Sequence, residues 1–271
     1  MMQFSVLMSI YKKEYPLYFK ECIGSLLTQS LPPDQIVLVE DGPLTDELYE
    51  AVEEFQNLCP VLKVVPFAEN RGLGRALADG LLACDYPLVA RMDTDDIAFP
   101  DRFERQVKAF EEDPELDICG GHVLEFTGST DHILRRKRVP VTHEEIVRYA
   151  GKRNPFNHPS VMYKKQAVLD AGNYQHVQWF EDYDLWARMI AKGAKTRNID
   201  DFILYFRAGE DMYRRRGGWA YMKSAVRARW QIYRLGVSTL PDFLYATCAQ
   251  IAVSLMPNSM RGRFYQKVLR K

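Results

Sequence analysis

Four short apolar runs rich in β-branched residues, at 4–10, 35–39, 62–67 and 87–92, alternate with three stretches of helical length, at 17–28, 45–58 and 72–83. In the third stretch Leu73, Leu77 and Leu81 recur at four-residue spacing and share one helical face. The series reads βαβαβαβ, which predicts a doubly wound, mainly parallel α/β sheet. Further on, Pro100 opens a predicted helix to position 111, residues 117–126 read as a strand, 154–159 as a loop and 160–163 as another strand. A last helix starts near Glu181, with acids in its first turn and Leu185 and Met189 on one face.

The alternation also says where a ligand binds. In such sheets the ligand lies outside the carboxyl ends of the strands, near the point where strand order reverses. The residues just past the four runs are Tyr11, Glu40 with Asp41, Asn70 with Arg71, and Asp93 to Asp96. Polar groups from distant positions therefore converge on one edge.

A length of 271 residues fits one large α/β domain with an appendage. Residues 1–213 are expected to form the catalytic body, with a nucleotide-binding half at 1–99 and an acceptor half at 100–213, and residues 214–271 a helical tail. Composition is that of a soluble globular chain, at 47% hydrophobic and 27% charged residues. The five cysteines form no C-x-x-C pair, which argues against a disulfide framework or a cysteine zinc site and fits a reducing cytosol. The apolar amino terminus lacks a basic leader and a cleavage site, so it reads as a strand.

Zero net charge hides an asymmetry. From Arg207 onward there are 13 Lys/Arg against 3 Asp/Glu, from totals of 36 and 36, so the tail is net +10 and the body net −10. A basic tail suits an anionic partner: lipid, a phosphorylated substrate or nucleic acid. The segment 243–256 is apolar but too short to span a bilayer. With Arg261, Arg263, Lys267, Arg270 and Lys271 after it, the segment reads either as an interfacial anchor or as a helix packed on the body.

Closely spaced carboxylates in Asp93-Thr94-Asp95-Asp96, at the end of a buried strand, repel one another unless a cation lies between them, and all-oxygen ligands suit Mg²⁺ or Mn²⁺. The plainer alternative is that these acids cap the helix beginning near Pro100. The stretch Arg71-Gly72-Leu73-Gly74-Arg75 opens a predicted helix, where free N–H groups and two guanidinium groups favour a phosphate. Glu40-Asp41-Gly42 offers carboxylates to a nucleobase or ribose, or else forms an Asp-Gly turn. Glu181-Asp182 is the pair suited to act as general base. Lone His158 lacks a second ligand at metal spacing. Arg214-Arg215-Arg216-Gly217-Gly218 could fold over a diphosphate.

Taken in order, Ser5-Val6-Leu7-Met8-Ser9-Ile10-Tyr11, Ile36-Val37-Leu38-Val39-Glu40-Asp41-Gly42, Asn70-Arg71-Gly72-Leu73-Gly74, the acidic cluster and Phe180-Glu181-Asp182 resemble the inverting glycosyltransferases of family 2, which have the GT-A fold. The resemblance covers about residues 4 to 190. It implies that Asp41 contacts uracil, that Ser9 and Tyr11 line the base pocket, that Asp93 and Asp95 serve the UDP ribose and the metal, and that Asp182 is the base. Arg91-Met-Asp-Thr-Asp-Asp, Asn157-His158-Pro159-Ser160 and Arg215-Arg216-Gly217-Gly218 look more narrowly like bacterial hexosyltransferases of O-antigen, capsule or exopolysaccharide synthesis. Those typically use a UDP-sugar and an acceptor on undecaprenyl diphosphate at the inner face of the cell membrane. Pro43-Leu44 departs from the family pattern, where Ser or Thr follows the glycine. A sugar-phosphate nucleotidyltransferase is the rival reading, disfavoured because no glycine-rich loop follows the first strand; a non-catalytic nucleotide-sugar binder is another. Nucleic acid is not expected as a partner.

Overall fold

A computed structural model describes residues 2–209 and 217–256 of the chain. The first half contains β1 (Phe4–Ile10), α1 (Pro16–Leu27), β2 (Gln35–Glu40), α2 (Asp46–Leu58), β3 (Leu62–Pro66), α3 (Leu73–Ala83) and β4 (Leu88–Arg91). Pro16 sits where its missing N–H costs nothing, in the first turn of α1, and Thr45 caps α2 through the Leu48 N–H. Strand order β3-β2-β1-β4 is parallel throughout, and the chain reverses direction across the sheet between β3 and β4. The switch point therefore lies at the carboxyl ends of β1 and β4.

Strand side chains alternate between two cores. Phe4, Val6, Met8, Ile36, Leu38, Leu88 and Ala90 face α1, α2 and α4, whereas Leu7, Val37, Val39 and Val89 face α3 and α7. Gly80 of α3 lies so close to the sheet that an added Cβ would sit 2.6 Å from both Leu7 Cδ1 and Val39 Cγ2. Gly80→Ala should therefore destabilise the fold by about 1–3 kcal/mol through overpacking. An unchanged midpoint in urea unfolding would contradict this packing.

The second half is mixed. It contains β5 (Ile97–Ala98), α4 (Arg102–Glu112), β6 (Leu116–Thr127), β7 (Ser129–Lys137), α5 (His143–Ala150), a 3-10 turn (His158–Ser160), β8 (Met162–Lys164), α6 (Lys165–Asp170), α7 (Glu181–Ala191) and β9 (Lys195–Arg207). Antiparallel β8 joins β4 to β6, β9 lies parallel to β6, and β5 and β7 are antiparallel additions at the far side. Two helices follow, α8 (Trp219–Arg234) and α9 (Leu240–Leu255). Helix α8 packs on the body: Ile232 joins Tyr183 and Ala187 of α7 in a small core, and Ser224 Oγ donates to the Gln178 carbonyl at 2.6 Å.

Several elements depart from the sequence expectation. The strand expected at 160–163 begins at Met162, because Pro159 and Ser160 close a 3-10 turn. The β6–β7 hairpin, α5, α6 and the long β9 were not anticipated. Strand β7 is largely exposed and polar, and β9 mixes polar with apolar positions, so neither shows an uninterrupted apolar run.

Candidate active site

Past β4 the chain folds the three carboxylates of Asp93, Asp95 and Asp96 together, with one oxygen of each within 4.8 Å of the others. None of them caps α4, whose N-cap is Asp101, so the helix-cap alternative does not hold. Burial, followed by repulsion from Asp93, pushes the Asp95 carboxyl up to about 6. Asp96, completely buried, is driven well above the ordinary carboxylate range by burial and by its two acidic neighbours. One Asp96 oxygen accepts the Arg207 N–H at 2.8 Å, and the other has no partner among the described residues. A cluster of acids crowded enough to resist ionisation, offering only oxygens, is chemically suited to a hard divalent cation.

Arg207, the last residue of β9, clamps this loop. Its Nε donates to the Asp95 carbonyl at 2.7 Å, Nη1 to the Gly128 carbonyl at 3.3 Å and Nη2 to Glu21, while the guanidinium lies over the rings of Tyr18 and Phe126. From α1, the Cys22 thiol donates to the Asp93 carbonyl at 3.2 Å. Burial and the nearby acids raise its pKa, which keeps it a donor. Ser9 and Tyr11, at the end of β1, border the same edge, and the Thr94 hydroxyl approaches the Ser9 carbonyl at 3.5 Å.

Beside them, Asp41 organises the loop before α3. Its carboxylate accepts the backbone N–H groups of Arg71 at 2.6 Å and Gly72 at 3.0 Å and the Asn70 side-chain amide at 2.9 Å. Gly42 has φ 86°, and a Cβ there would lie 2.5 Å from the Asn70 nitrogen, so only glycine fits. Leu44 enters the core, and Thr45 caps α2 through the Leu48 N–H. Glu40 is buried, and burial raises its pKa. The Arg71 guanidinium is directed along α3, paired with Asp79 at 2.7 Å and resting on the Phe67 ring; Arg75 is exposed on the first turn. The 175–176 segment and Glu181 close against Gly72 and Gly74 at that helix start.

The opposite wall begins with Trp179, whose φ of 68° is strained for a bulky residue and turns the chain into α7. One Asp182 oxygen accepts the Asn154 amide at 2.7 Å and the other the Tyr183 N–H at 2.7 Å. These bonds oppose the burial that raises the Asp182 carboxyl. Glu181 is pushed up to about 7 by burial and by repulsion from Asp182. Below it, Glu181 is protonated and can no longer accept a proton or lend its charge to the pair. We therefore expect kcat/KM to rise with pH through about 7; a profile flat between about pH 5.5 and 8 would remove the pair from the reaction.

Arg91 links the two walls. The period of β4 places it on the α7 side, fully buried, with Nη2 at 2.5 Å from Asp93 Oδ1. Its charge also favours the ionised forms of Glu181 and Asp182, and Nε and Nη1 have no hydrogen-bond partner among the described residues. His158 instead belongs to an aromatic cluster with Tyr174 and Trp186; it bonds the Tyr174 hydroxyl at 3.2 Å, and burial lowers its pKa, so it is a neutral packing group. Arg215 and Arg216 lie outside the described residues, as does the basic segment 261–271.

Three contributors went unassigned in the sequence: Arg91, Asn154 and Arg207. A lone arginine inside an apolar strand beside an acidic cluster was a usable signal for Arg91. Arg207 offers none, because its contact with Asp96 spans 111 positions.

A parallel half-sheet with acids at its switch point, joined to a mixed half that carries a carboxyl pair, defines a glycosyltransferase of GT-A architecture. Residues 5–172 match the model of glycosyl transferase family 2, and the chain belongs to that family. It is 43% identical over 274 residues, the full length of both chains, to an uncharacterised glycosyltransferase of Haemophilus influenzae. It is 44% identical over 232 residues (86% of this chain, 85% of the other) to the amylovoran biosynthesis glycosyltransferase AmsE of Erwinia amylovora. It is also 34% identical over 269 residues (99% and 97%) to the Escherichia coli UDP-Gal:alpha-D-GlcNAc-diphosphoundecaprenol beta-1,3-galactosyltransferase. The fold is shared with the mannosyltransferase PcManGT of Pyrobaculum calidifontis in complex with GDP-Man and Mn²⁺, at TM-score 0.65 and 16% identity, covering 96% of this chain and 72% of that one.

Proposed function

We propose that the chain transfers a hexose, glucose or galactose, from a UDP-sugar to a sugar on a lipid diphosphate such as undecaprenyl diphosphate, with inversion, in bacterial surface polysaccharide synthesis. The observation that carries this reading is the gathering of the Asp93, Asp95 and Asp96 carboxylates beside buried Arg91, which pairs with Asp93 and whose charge also acts on Glu181 and Asp182. The named activity of the galactosyltransferase relative supports the donor and acceptor classes.

In this reading Asp95 and Asp93 hold Mn²⁺ or Mg²⁺, with Asp96 fixed behind them by Arg207. A bound divalent ion supplies positive charge for the departing diphosphate. Asp93 also reaches the ribose, and Thr94 stays beside it. Ser9, Tyr11 and Glu40 border the nucleoside; Asp41 shapes the 70–72 loop and keeps a lone pair for the uracil. Gly72 at the start of α3, Arg75 and a reoriented Arg71 face the phosphates, as would Arg215 and Arg216. Asp182, assisted by Glu181, takes the proton from the acceptor hydroxyl as its oxygen attacks the anomeric carbon and the bond to UDP breaks. One displacement inverts that carbon.

Among the described residues, no helix is long and apolar enough to cross a membrane. The tail nevertheless exposes Trp219, Trp230, Leu244 and Tyr245, the last 72% accessible. Together with its positive charge this supports peripheral contact with an anionic membrane at the cytoplasmic face.

Incubation with a panel of UDP-sugars, Mn²⁺ or Mg²⁺ and synthetic lipid-diphosphate-linked sugars, read by product mass and NMR, tests the proposal. We expect one UDP-hexose to give a β-linked product. A product retaining the donor's α configuration, or transfer only from a GDP-sugar, would overturn it.

A further inference from the structure

Helix α9 has its polarity turned inside out. Its polar side chains Asp242, Thr247, Gln250 and Ser254 are buried or half-buried, while Leu240, Leu244, Tyr245, Cys248, Ala252 and Leu255 are exposed. Spacings of three and four residues gather the exposed set into one stripe along the whole helix, about 24 Å from end to end. No exposed position of α9 carries a charge. A helix packed on a body and facing water on its other side shows the reverse pattern, with apolar positions inward.

Helix α8 lies antiparallel beside it. At one end the Gly218 N–H donates to the Ser254 carbonyl at 3.0 Å, and at the other the rings of Trp230 and Tyr233 meet Phe243 at 5.7 and 5.2 Å. Trp219, Lys223, Arg227, Trp230 and Arg234 form an exposed row on α8, again at spacings of three and four. Helix α8 contains no acid, and the one acid of α9, Asp242, is paired with Lys152. From Gly217 to Lys271 the chain carries nine Lys/Arg against that single acid. Neither helix is a loose appendage. The Tyr221 ring lies 5.4 Å from those of Trp179 and Phe180, Ile232 packs on Tyr183 and Ala187, and Ser238 Oγ donates to the Gly151 carbonyl at 2.7 Å. These contacts use the inward side of the hairpin and leave the apolar stripe and the basic row outside.

Charge selects the occupant of that outer side. A second copy docked through the same stripe about a two-fold axis would bring Lys223, Arg227 and Arg234 toward their own counterparts, with no acid in α8 to match them. An anionic bilayer satisfies both rows at once: acyl chains take the stripe, lipid phosphates take the cations, and Trp219 and Trp230 suit the boundary between them. We propose that α9 lies in the plane of an anionic bilayer, with its outer face from Leu240 to Leu255 sunk among the acyl chains and the α8 row against the headgroups. The inference rests on the peripheral contact given under Proposed function and makes that contact an insertion by one face. Through Tyr221 and Ile232, docking also fixes the wall that bears Glu181 and Asp182 relative to the lipid surface.

Cys248 lies mid-stripe and is the one exposed cysteine of the five, so an environment-sensitive thiol dye reports on this face in the full chain without a substitution. With vesicles of phosphatidylcholine and phosphatidylglycerol, we expect the dye emission to shift to the blue and to be quenched by spin labels placed in the acyl chains. The unlabelled chain should float with the same vesicles. Leu244→Glu/Ala252→Glu should lower the partition coefficient at least about tenfold, and Arg227→Gln/Arg234→Gln should lower the preference for phosphatidylglycerol over pure phosphatidylcholine about tenfold. All four positions are exposed, so urea midpoints should match wild type; if the glutamate pair unfolds the chain, the dye on wild type still decides. Flotation without acyl-chain quenching, or a folded glutamate variant that floats as wild type does, overturns insertion while peripheral contact stands. An unchanged lipid preference in the arginine variant overturns the part given to α8. No flotation with any vesicle overturns both the insertion and the peripheral contact. A wild type that sediments as a dimer, with the glutamate variant a monomer, assigns the stripe to a second copy and overturns the proposal.

Discussion

Asp182→Asn is expected to lower kcat for transfer by about 10²- to 10⁴-fold while leaving UDP affinity near that of the wild type. The amide keeps the shape of the carboxyl and can still accept the Tyr183 N–H, but it cannot take a proton from the acceptor. The Asn154 amide would then face either the amide oxygen or, after a flip, another donor, so a small rise in acceptor KM is also expected. Removing the charge relieves Glu181, whose carboxyl Asp182 helps push up, so residual activity should titrate at lower pH than in the wild type. Single-turnover transfer and UDP titration separate these effects. Turnover within about threefold of wild type would exclude Asp182 as the base.

With the proposed ion held by Asp93 and Asp95, Asp95→Asn is expected to cost about 10³-fold or more in kcat/KM and to weaken Mn²⁺ or Mg²⁺ binding, because a carboxylate in a three-acid set would supply much of the charge that holds such an ion. Stability should move the other way. The Asp95 carboxyl is pushed up to about 6, above its ordinary value of about 4, so ionisation costs the metal-free fold stability above pH 6. That cost is relieved as pH falls through 6 and vanishes near 4. Without divalent ions, wild type should gain thermal stability as pH is lowered from about 8 to about 5, and Asp95→Asn should show a smaller gain and a higher melting temperature at pH 8. Divalent ions should flatten the wild-type profile. Melting curves in chelator across this range check both points, and a variant that melts lower than wild type at pH 8 would contradict the crowded-acid account.

The contrast between the two halves of the sheet shows what can be read along a chain. Strands β1, β2 and β4 are buried on both faces and read as mainly apolar runs, the edge strand β3 keeps Leu62, Val64 and Val65 apolar although half-exposed, and the intervening helices carry their own periodicity. That is why the convergence of Tyr11, Asp41, Arg71 and Asp93 was legible. The second half hid its strands: β7 is exposed on much of its length, and β9 carries Asn198, Asp200 and Asp201 among its apolar residues. The acidic cluster kept its place but changed in detail. Asp96 proved to be the most buried of the three, fixed by a backbone N–H from β9. Arg71, read as a phosphate ligand, is engaged with Asp79.

By itself, then, the sequence determined the parallel first half of the sheet and the edge on which its polar residues meet, because short-range periodicity fixes strands, helices and their ends. Only the tertiary structure decided how the walls are joined. It set buried Arg91 beside Asp93, where its charge also acts on the Glu181/Asp182 pair, and brought Arg207 across 111 positions to hold the acidic loop. Those arrangements arise from strand pairing and packing between distant segments, which leave no local pattern in a sequence.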